Sequence, residues 1–168
     1  KFIKFDSNYI VLNNGYKNLL FKDKVKKKNN QIVFVGELLR FGTTRNIEFI
    51  ISCFEDQRLD KYNLKIVGGP EEYIEKLKKN RNNKFPKNID FLGRLSHLDT
   101  INVLKESEIG LLINSSKNNH SVKFTSPLKY FEYLAADLKI VAVDFESHRE
   151  LPFASNILFF NENSKESF

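Results

Sequence analysis

From Gln31 onward, short apolar runs alternate along the chain with stretches in which apolar residues recur at helical spacing. The runs are mostly continuous, which is typical of parallel strands that are buried on both faces. They predict strands over residues 32–35, 64–67, 89–92, 109–113, 140–143 and 157–160. The clearest helical stripe between them is formed by Ile47, Ile50, Ile51 and Phe54. Alternating strands and helices predict an α/β fold built on a doubly wound parallel sheet.

Three of the predicted strands run into loops that contain glycine, at residues 36–38, 68–70 and 93–95. Ligands of doubly wound sheets bind beyond the carboxyl ends of the strands, where these loops are expected. A tight turn is the commoner reason for any single glycine, but three on one edge favour a ligand that approaches the backbone closely. The fourth strand opens into a polar stretch, residues 114–125.

A helix start after this polar stretch is the candidate phosphate site. Ser126 is a favoured N-cap and Pro127 suits the first helical position, so the helix is predicted to begin at Pro127. Its first-turn amides lack helical partners and lie at the positive end of the helix dipole, which favours an anion, and Lys129 adds a full charge. Glu132 lies on the same face, where a carboxylate can accept hydrogen bonds from ribose hydroxyls. Ordinary capping beside a solvated Lys129–Glu132 ion pair is the alternative.

The positive charge of the chain is concentrated near its start. Residues 1–30 hold eight Lys and two Asp, which accounts for the whole net charge of +6, and the rest of the chain is balanced. A nucleic-acid partner would need basic residues on the folded face, so we expect none. The Lys- and Asn-rich stretch 22–30 is interpreted as a solvated linker, with weak attraction to an anionic membrane surface as an alternative.

No apolar run approaches the roughly 18 residues that span a bilayer, and no charged-then-apolar leader opens the chain. We therefore expect a cytoplasmic location, either free or peripheral on the inner face of the membrane. Cys53, the single cysteine, lies in an apolar helical pattern and is predicted to be buried. The chain contains no Met, so we expect it to be a piece of a larger protein.

The three histidines, His97, His120 and His148, have no partners at metal-ligand spacing, so no metal site is expected. Ser147 and Glu150 have the spacing of a capping box, which predicts a helix start there rather than a nucleophile. Neither Gly-x4-Gly-Lys-Ser/Thr nor Gly-x-Gly-x-x-Gly occurs, which argues against an NTPase or a dinucleotide dehydrogenase.

Six segments of the chain, taken in order, resemble a known family. They are residues 14–15, 33–36 with 45–47, 64–68, 89–93, 126–129 with 131–133, and 141–144 with 147–150. Their order resembles the carboxyl-terminal domain of retaining GT-B glycosyltransferases of family 4, the glycosyl transferases group 1. The resemblance implies the Rossmann-like half of a GT-B fold. Residues 1–30 would then be an interdomain hinge and Lys-rich linker and residues 31–168 the nucleotide-sugar-binding domain, while the amino-terminal acceptor domain would be absent from this chain.

The resemblance also implies roles for the site residues. The donor diphosphate would be bound by Arg45, Ser126, Pro127, Leu128 and Lys129, the ribose by Glu132, and the nucleobase by the backbone of Gly93, Arg94 and Leu95, with Gly36 close to the donor. No catalytic residue is assigned, and neither a metal ion nor another cofactor is expected. Two positions depart from the family pattern. Phe124 stands where the first Glu of a Glu-x7-Glu pattern is usual, and Glu37 stands where a basic residue often follows the glycine, for which Arg40 is a candidate replacement.

The expected function is transfer of a sugar from a UDP-sugar or GDP-sugar to a glycan or lipid-linked acceptor, in the assembly of a surface polysaccharide. The chain alone is expected to be inactive, because half of the active site would lie in the acceptor domain. Three alternatives stay open: an inactive GT-B-like binding domain, another GT-B enzyme such as a sugar-nucleotide epimerase, and a basic protein that uses its Lys-rich lead-in on membranes or nucleic acid.

Overall fold

The computed structural model describes residues 15, 21, 25–40, 42–125 and 127–168, with the backbone alone at Arg40. The strands in these ranges are β1 (Gln31–Val35), β2 (Leu39–Arg40), β3 (Thr43–Thr44), β4 (Asn63–Val67), β5 (Ile89–Gly93), β6 (Ile109–Leu112), β7 (Lys139–Val143) and β8 (Ile157–Phe160). Strands β2 and β3 form a short antiparallel hairpin. The other six form one parallel sheet in the order β5-β4-β1-β6-β7-β8. All six strands predicted from the apolar runs are confirmed, and their ends differ by at most one residue.

Six α-helices lie in the described ranges. They are α1 (Ile47–Cys53), α2 (Glu71–Asn80), α3 (His97–Glu106), α4 (Asn119–Lys123), α5 (Leu128–Ala135) and α6 (Glu146–Arg149). The apolar stripe around Ile50 forms α1, as predicted. Sequence patterns did not predict α4, because it has five residues and buries one side chain, that of Ser121. Its start is marked by the Asn118 side chain, which accepts a hydrogen bond from the backbone N–H of His120 at 3.0 Å.

Strand β1 shows why the apolar runs are continuous. All five of its residues are buried. Ile32 and Phe34 pack into the core under α1 and α2, whereas Val33 and Val35 pack into the core under α3 and α5. Successive side chains of a strand point to opposite faces, so a strand that is covered on both sides needs apolar residues at every position.

The strand order reverses between β1 and β6. From β1 the chain runs outward to β4 and β5, returns to β6 on the other side of β1, and then runs outward to β7 and β8. Such a reversal separates the loops that leave the two central strands and opens a crevice at their carboxyl ends, where doubly wound folds bind ligands.

One lysine at the end of the Lys-rich stretch, Lys27, is bonded to the folded domain. The Lys27 Nζ donates hydrogen bonds to the carbonyls of Ser107, at 2.9 Å, and Ala136, at 2.7 Å. Ser107 lies at the carboxyl end of α3 and Ala136 at the carboxyl end of α5. The solvated-linker interpretation is therefore wrong for Lys27, because two helix ends offer it carbonyls without helical partners. Of the hinge predicted at residues 14–15, Asn14 lies outside the described residues.

The capping box predicted at Ser147 is wrong. Helix α6 begins at Glu146, and Ser147 lies inside it, where its buried hydroxyl donates a hydrogen bond to the Ser121 carbonyl of α4 at 3.0 Å. The contact with α4 outweighs the local capping preference of the serine.

Cys53 is buried as predicted, and burial raises the pKa of its thiol to about 11. Within the described ranges, none of the helices combines the length and the apolar character that crossing a bilayer requires.

Candidate functional site

A cavity of about 530 Å³ opens above the carboxyl ends of β1 and β6. It therefore lies at the reversal of the strand order, and it lies beyond the carboxyl ends of the strands, where the sequence predicts the ligand. The residues that line it are Phe34, Val35, Gly36, Arg45, Leu111, Leu112, Ile113, Asn114, His120, Phe124, Thr125, Pro127, Leu128, Lys129 and His148. They come from the ends of β1 and β6, the turn before α1, helix α4, the start of α5 and helix α6.

The floor of the cavity depends on Tyr133. Strands β1 and β6 pair over residues 32–33 and 109–110, and the strands then diverge. Beyond that point the fully buried Tyr133 hydroxyl accepts a hydrogen bond from the Val35 N–H at 3.0 Å and donates one to the Leu111 carbonyl at 3.3 Å. A Cβ at Gly110 would overlap the Tyr133 ring, so a glycine is needed there. Sequence reasoning missed this bridge; a glycine inside an apolar strand was the available signal.

Arg45 lines the wall above β1 and is half-buried. It directly follows the β2–β3 hairpin, and its N–H donates a hydrogen bond to the Leu38 carbonyl at 3.0 Å. The sequence analysis did not predict this hairpin, although Gly42, whose φ of 74° suits the turn, could have indicated it. A Cβ at Gly36 would come within 3.0 Å of the Arg45 Nη1, so Gly36 leaves room for the guanidinium.

The glycine loops contact one another. The N–H of Gly36 donates to the Val67 carbonyl at 2.9 Å, and the N–H of Gly68 donates to the Gly93 carbonyl at 2.7 Å. A Cβ at Gly68 would overlap the carbonyl oxygen of Gly36. The expectation that all three loops use glycine to admit a ligand is therefore wrong for Gly68, where the close neighbour is another loop.

The predicted nucleobase loop lies at the end of β5, two strands from β1. Gly93 is the last residue of that strand, and Arg94 and Leu95 follow it. The Arg94 Nη2 and the Glu37 Oε2 form an exposed ion pair at 2.9 Å, which links this loop to the one after β1. The role of the loop stays a prediction.

The start of α5 forms the wall opposite Arg45. Pro127 is the N-cap and Leu128 the first helical residue, so the predicted helix start is wrong by one residue. Ser126, the predicted cap, lies outside the described residues. Pro127, Leu128 and Lys129 all line the cavity. The Tyr130 N–H donates the first hydrogen bond of the helix to the Pro127 carbonyl at 3.0 Å, and the amides of Leu128 and Lys129 precede it, so no earlier helical carbonyl is available to them. The structure thus places two cationic side chains and a helix start around one cavity.

Lys129 and Glu132 form an ion pair with 2.7 Å between Nζ and Oε2. Both side chains are more buried than an ordinary surface pair, with 30% and 19% exposed. The ion pair of the alternative prediction is therefore present, but it is not fully solvated, because the two side chains sit at the edge of the cavity. Lys129 lines it directly, and Glu132 adjoins it through this contact.

The segment after β8 connects the loop after β6 to the start of α1. The Glu162 carboxylate accepts a hydrogen bond from the backbone N–H of Ser116, at 3.1 Å, and one from the side-chain amide of Asn46, at 3.3 Å. Ser116 follows β6, and Asn46 is the N-cap of α1 beside Arg45. The carboxylate thus holds the loop after β6 against the residue next to Arg45.

His148 is a cavity residue to which sequence reasoning gave no role. Its side chain is 1% exposed, and its ring stacks on Phe145 with the centroids 5.9 Å apart. The Nδ1 atom lies 2.8 Å from the Val143 carbonyl, whereas the buried Nε2 has no hydrogen-bond partner among the described residues. Burial lowers the pKa of His148, although the Val143 carbonyl and the Asp144 carboxylate oppose this effect.

No group of three or more His, Cys, Asp or Glu side chains suited to a metal gathers in the described ranges.

Comparison with known proteins identifies relatives of this fold. The family model described as glycosyl transferases group 1 matches residues 29–168. No curated protein matches the chain. Among solved structures, WaaG, a glycosyltransferase involved in lipopolysaccharide biosynthesis, is 16% identical with a TM-score of 0.56, over 89% of this chain and 39% of WaaG.

Two further structures are similar in fold. AviGT4, a glycosyltransferase involved in Avilamycin A biosynthesis, is 11% identical with a TM-score of 0.61, over 86% of this chain and 42% of AviGT4. The E. coli heptosyltransferase WaaC, solved with ADP, is 13% identical with a TM-score of 0.51, over 83% of this chain and 40% of WaaC. The chain thus spans about two fifths of the length of these structures.

Proposed function

The chain belongs to the glycosyl transferases group 1 family and has the Rossmann-like fold of GT-B glycosyltransferases, and we propose that it is the donor-binding domain of a retaining member. One observation carries the proposal: Arg45, Lys129 and the start of α5 surround a single cavity at the reversal of the strand order. Two cations and free helix amides favour a ligand with at least two negative charges, such as a nucleoside diphosphate.

In this proposal the diphosphate binds between Arg45 and Lys129, and the ribose hydroxyls donate hydrogen bonds to Glu132. The nucleobase extends toward the loop formed by Gly93, Arg94 and Leu95. Negative charge grows on the diphosphate as the bond to the sugar breaks, and the two cations and the helix dipole stabilise it. With these groups in place, we propose that the donor needs no metal ion or other cofactor.

We propose a UDP-sugar or GDP-sugar as donor, a glycan or lipid-linked acceptor, and a role in surface-polysaccharide assembly. Because the chain spans about two fifths of its structural neighbours, the acceptor site is assigned to a further domain. Glycosyl transfer is then expected from the larger protein and not from these 168 residues.

Calorimetric titration of the chain with UDP, GDP and ADP tests the proposal; ADP is included because WaaC was solved with it. One nucleotide should bind, and Lys129→Ala should weaken it by about 1.5–3 kcal/mol, the range for a hydrogen bond to a charged group. The matched control is Lys139→Ala, which removes an exposed lysine at the start of β7, the opposite end of the sheet. Absence of binding by all three nucleotides, or an equal loss in both variants, would contradict the proposal.

A further inference from the structure

We infer that His148 selects the transferred sugar by accepting a hydrogen bond from one of its hydroxyl groups at Nε2. The inference rests on the proposed function, since it places the sugar of a nucleotide-sugar in the same cavity. It assigns a ligand contact to helix α6, an element outside the diphosphate, ribose and nucleobase positions described above.

The hydrogen bond at Nδ1 fixes the chemistry of the ring. A backbone carbonyl can only accept, so Nδ1, 2.8 Å from the Val143 oxygen, must carry the proton. Burial lowers the pKa of the ring, which favours its neutral form. Nε2 is then a lone-pair acceptor that can bond only to a ligand or water that donates.

A buried acceptor without a partner is costly and uncommon in folded proteins. The Nε2 of His148 is such an atom among the described residues, and its ring lies in the wall of the cavity. The stacking on Phe145 and the bond to Val143 hold the ring in this orientation. The structure therefore keeps an acceptor in place before any ligand arrives.

The two cations and the His148 acceptor suit different groups of a nucleotide-sugar. Ionised phosphate oxygens only accept hydrogen bonds, so they suit Arg45 and Lys129 and would repel the Nε2 lone pair. A sugar hydroxyl can donate, which makes it the part of a nucleotide-sugar that matches His148. Helix α4 braces this side of the cavity, because its Ser121 carbonyl accepts the hydroxyl of Ser147, the residue before His148.

The test compares each free nucleotide with its sugar conjugate by calorimetry on the 168-residue chain, using UDP with UDP-glucose, GDP with GDP-mannose and ADP with ADP-glucose. His148→Asn retains an amide N–H for the Val143 carbonyl and removes the Nε2 acceptor. It should weaken the conjugate about 3- to 10-fold, the worth of one hydrogen bond, and leave the free nucleotide unchanged. His148→Gln, whose longer side chain restores an amide oxygen near Nε2, should recover part of the loss.

The matched control is His97→Asn at the exposed start of α3, which should change neither ligand. Equal losses for nucleotide and conjugate, or no loss for either, would overturn the inference while the proposed function stands. If no nucleotide binds the wild-type chain, the proposed function fails and the inference with it.

A second measurement on the wild-type chain covers the case in which the variants do not fold. In ¹⁵N spectra of the three histidines, the Nε2 signal of His148 should move on addition of the conjugate and not of the free nucleotide. A signal that moves equally with both ligands, or with neither, would contradict the sugar contact.

Discussion

The two ends of the parallel sheet hold their charged groups in different ways. At the amino ends of the strands, Lys139 pairs with Glu108 at 2.8 Å, and Lys27 donates to two helix-end carbonyls. At the carboxyl ends, Lys129 pairs with Glu132 at 2.7 Å but also lines an open cavity, and the buried Nε2 of His148 has no partner among the described residues. These groups at the amino ends bond partners within the fold and stabilise it, whereas those at the carboxyl ends also border a cavity that can admit a ligand.

Helix α5 shows the same contrast over eight residues. Lys27 lies at its carboxyl end, where the helix dipole favours a cation. Lys129 lies in its first turn, where the dipole disfavours one, and Glu132 offsets part of that cost. An anionic ligand bound at the helix start would turn the unfavourable position of Lys129 into a favourable one.

The largest expected effect is a loss of stability when the Tyr133 hydroxyl beneath the cavity is removed. Tyr133→Phe should lower the free energy of unfolding by about 2–4 kcal/mol, because it leaves the Val35 N–H and the Leu111 carbonyl without their partner. The control on the same helix is Tyr130→Phe, whose hydroxyl donates to the Pro152 carbonyl. Urea unfolding of both variants makes the comparison. A smaller loss for Tyr133→Phe than for Tyr130→Phe would show that the Tyr133 hydroxyl does not stabilise the junction of β1 and β6.

Glu132→Gln tests ligand binding at the carboxyl ends of the strands. It should weaken a ribonucleoside diphosphate by about 1–3 kcal/mol, because a neutral amide accepts hydrogen bonds less strongly and through one oxygen. The loss should largely vanish with the matching dideoxynucleotide, which lacks both hydroxyls. Calorimetry with the two ligands forms a double-mutant comparison, and equal losses would reduce Glu132 to a partner of Lys129.

Lys27→Ala tests the contacts at the amino ends of the strands. Loss of two hydrogen bonds at helix carboxyl ends should lower the free energy of unfolding by about 1–2 kcal/mol, with nucleotide affinity unchanged. Lys28→Ala is the matched control, since its exposed pair with Glu106 should contribute less than about 1 kcal/mol. A change in nucleotide affinity in Lys27→Ala would show that the two ends are not separate.

The smallest effect is the pH dependence contributed by His148. Burial holds its pKa below the ordinary 6.5, so below that pH the unfolded chain takes up a proton that the folded chain does not. This residue should therefore lower the free energy of unfolding as the pH falls from about 6.5 through its folded pKa. His148→Phe should remove that slope, as followed by urea unfolding between pH 7.5 and 5. An identical slope in both proteins would mean that folding leaves the pKa of His148 at its unfolded value, which would contradict the shift attributed to burial.

Local sequence patterns predicted the strands and helix starts that depend on neighbouring residues. Apolar runs identified the six strands of the sheet, and Pro127 located the start of α5 to within one residue. Tyr133 and Lys27 could not be predicted in the same way, because their hydroxyl and ammonium groups bond residues about 20 to more than 100 positions away in sequence. His148 illustrates the same limit, since neither spacing nor composition indicates which of its nitrogens is bonded and which is buried without a partner among the described residues.

NMR on the ¹⁵N-labelled chain locates nucleotide binding residue by residue. Titration with UDP, GDP and ADP should shift the amide signals of Gly36, Arg45 and Lys129 saturably, because these residues line the cavity at the carboxyl ends of the strands. The amides of Lys27 and Lys139 at the amino ends should stay in place. Shifts confined to the amino ends, or no saturable shifts with any of the three nucleotides, would contradict the assignment of this cavity as the donor site.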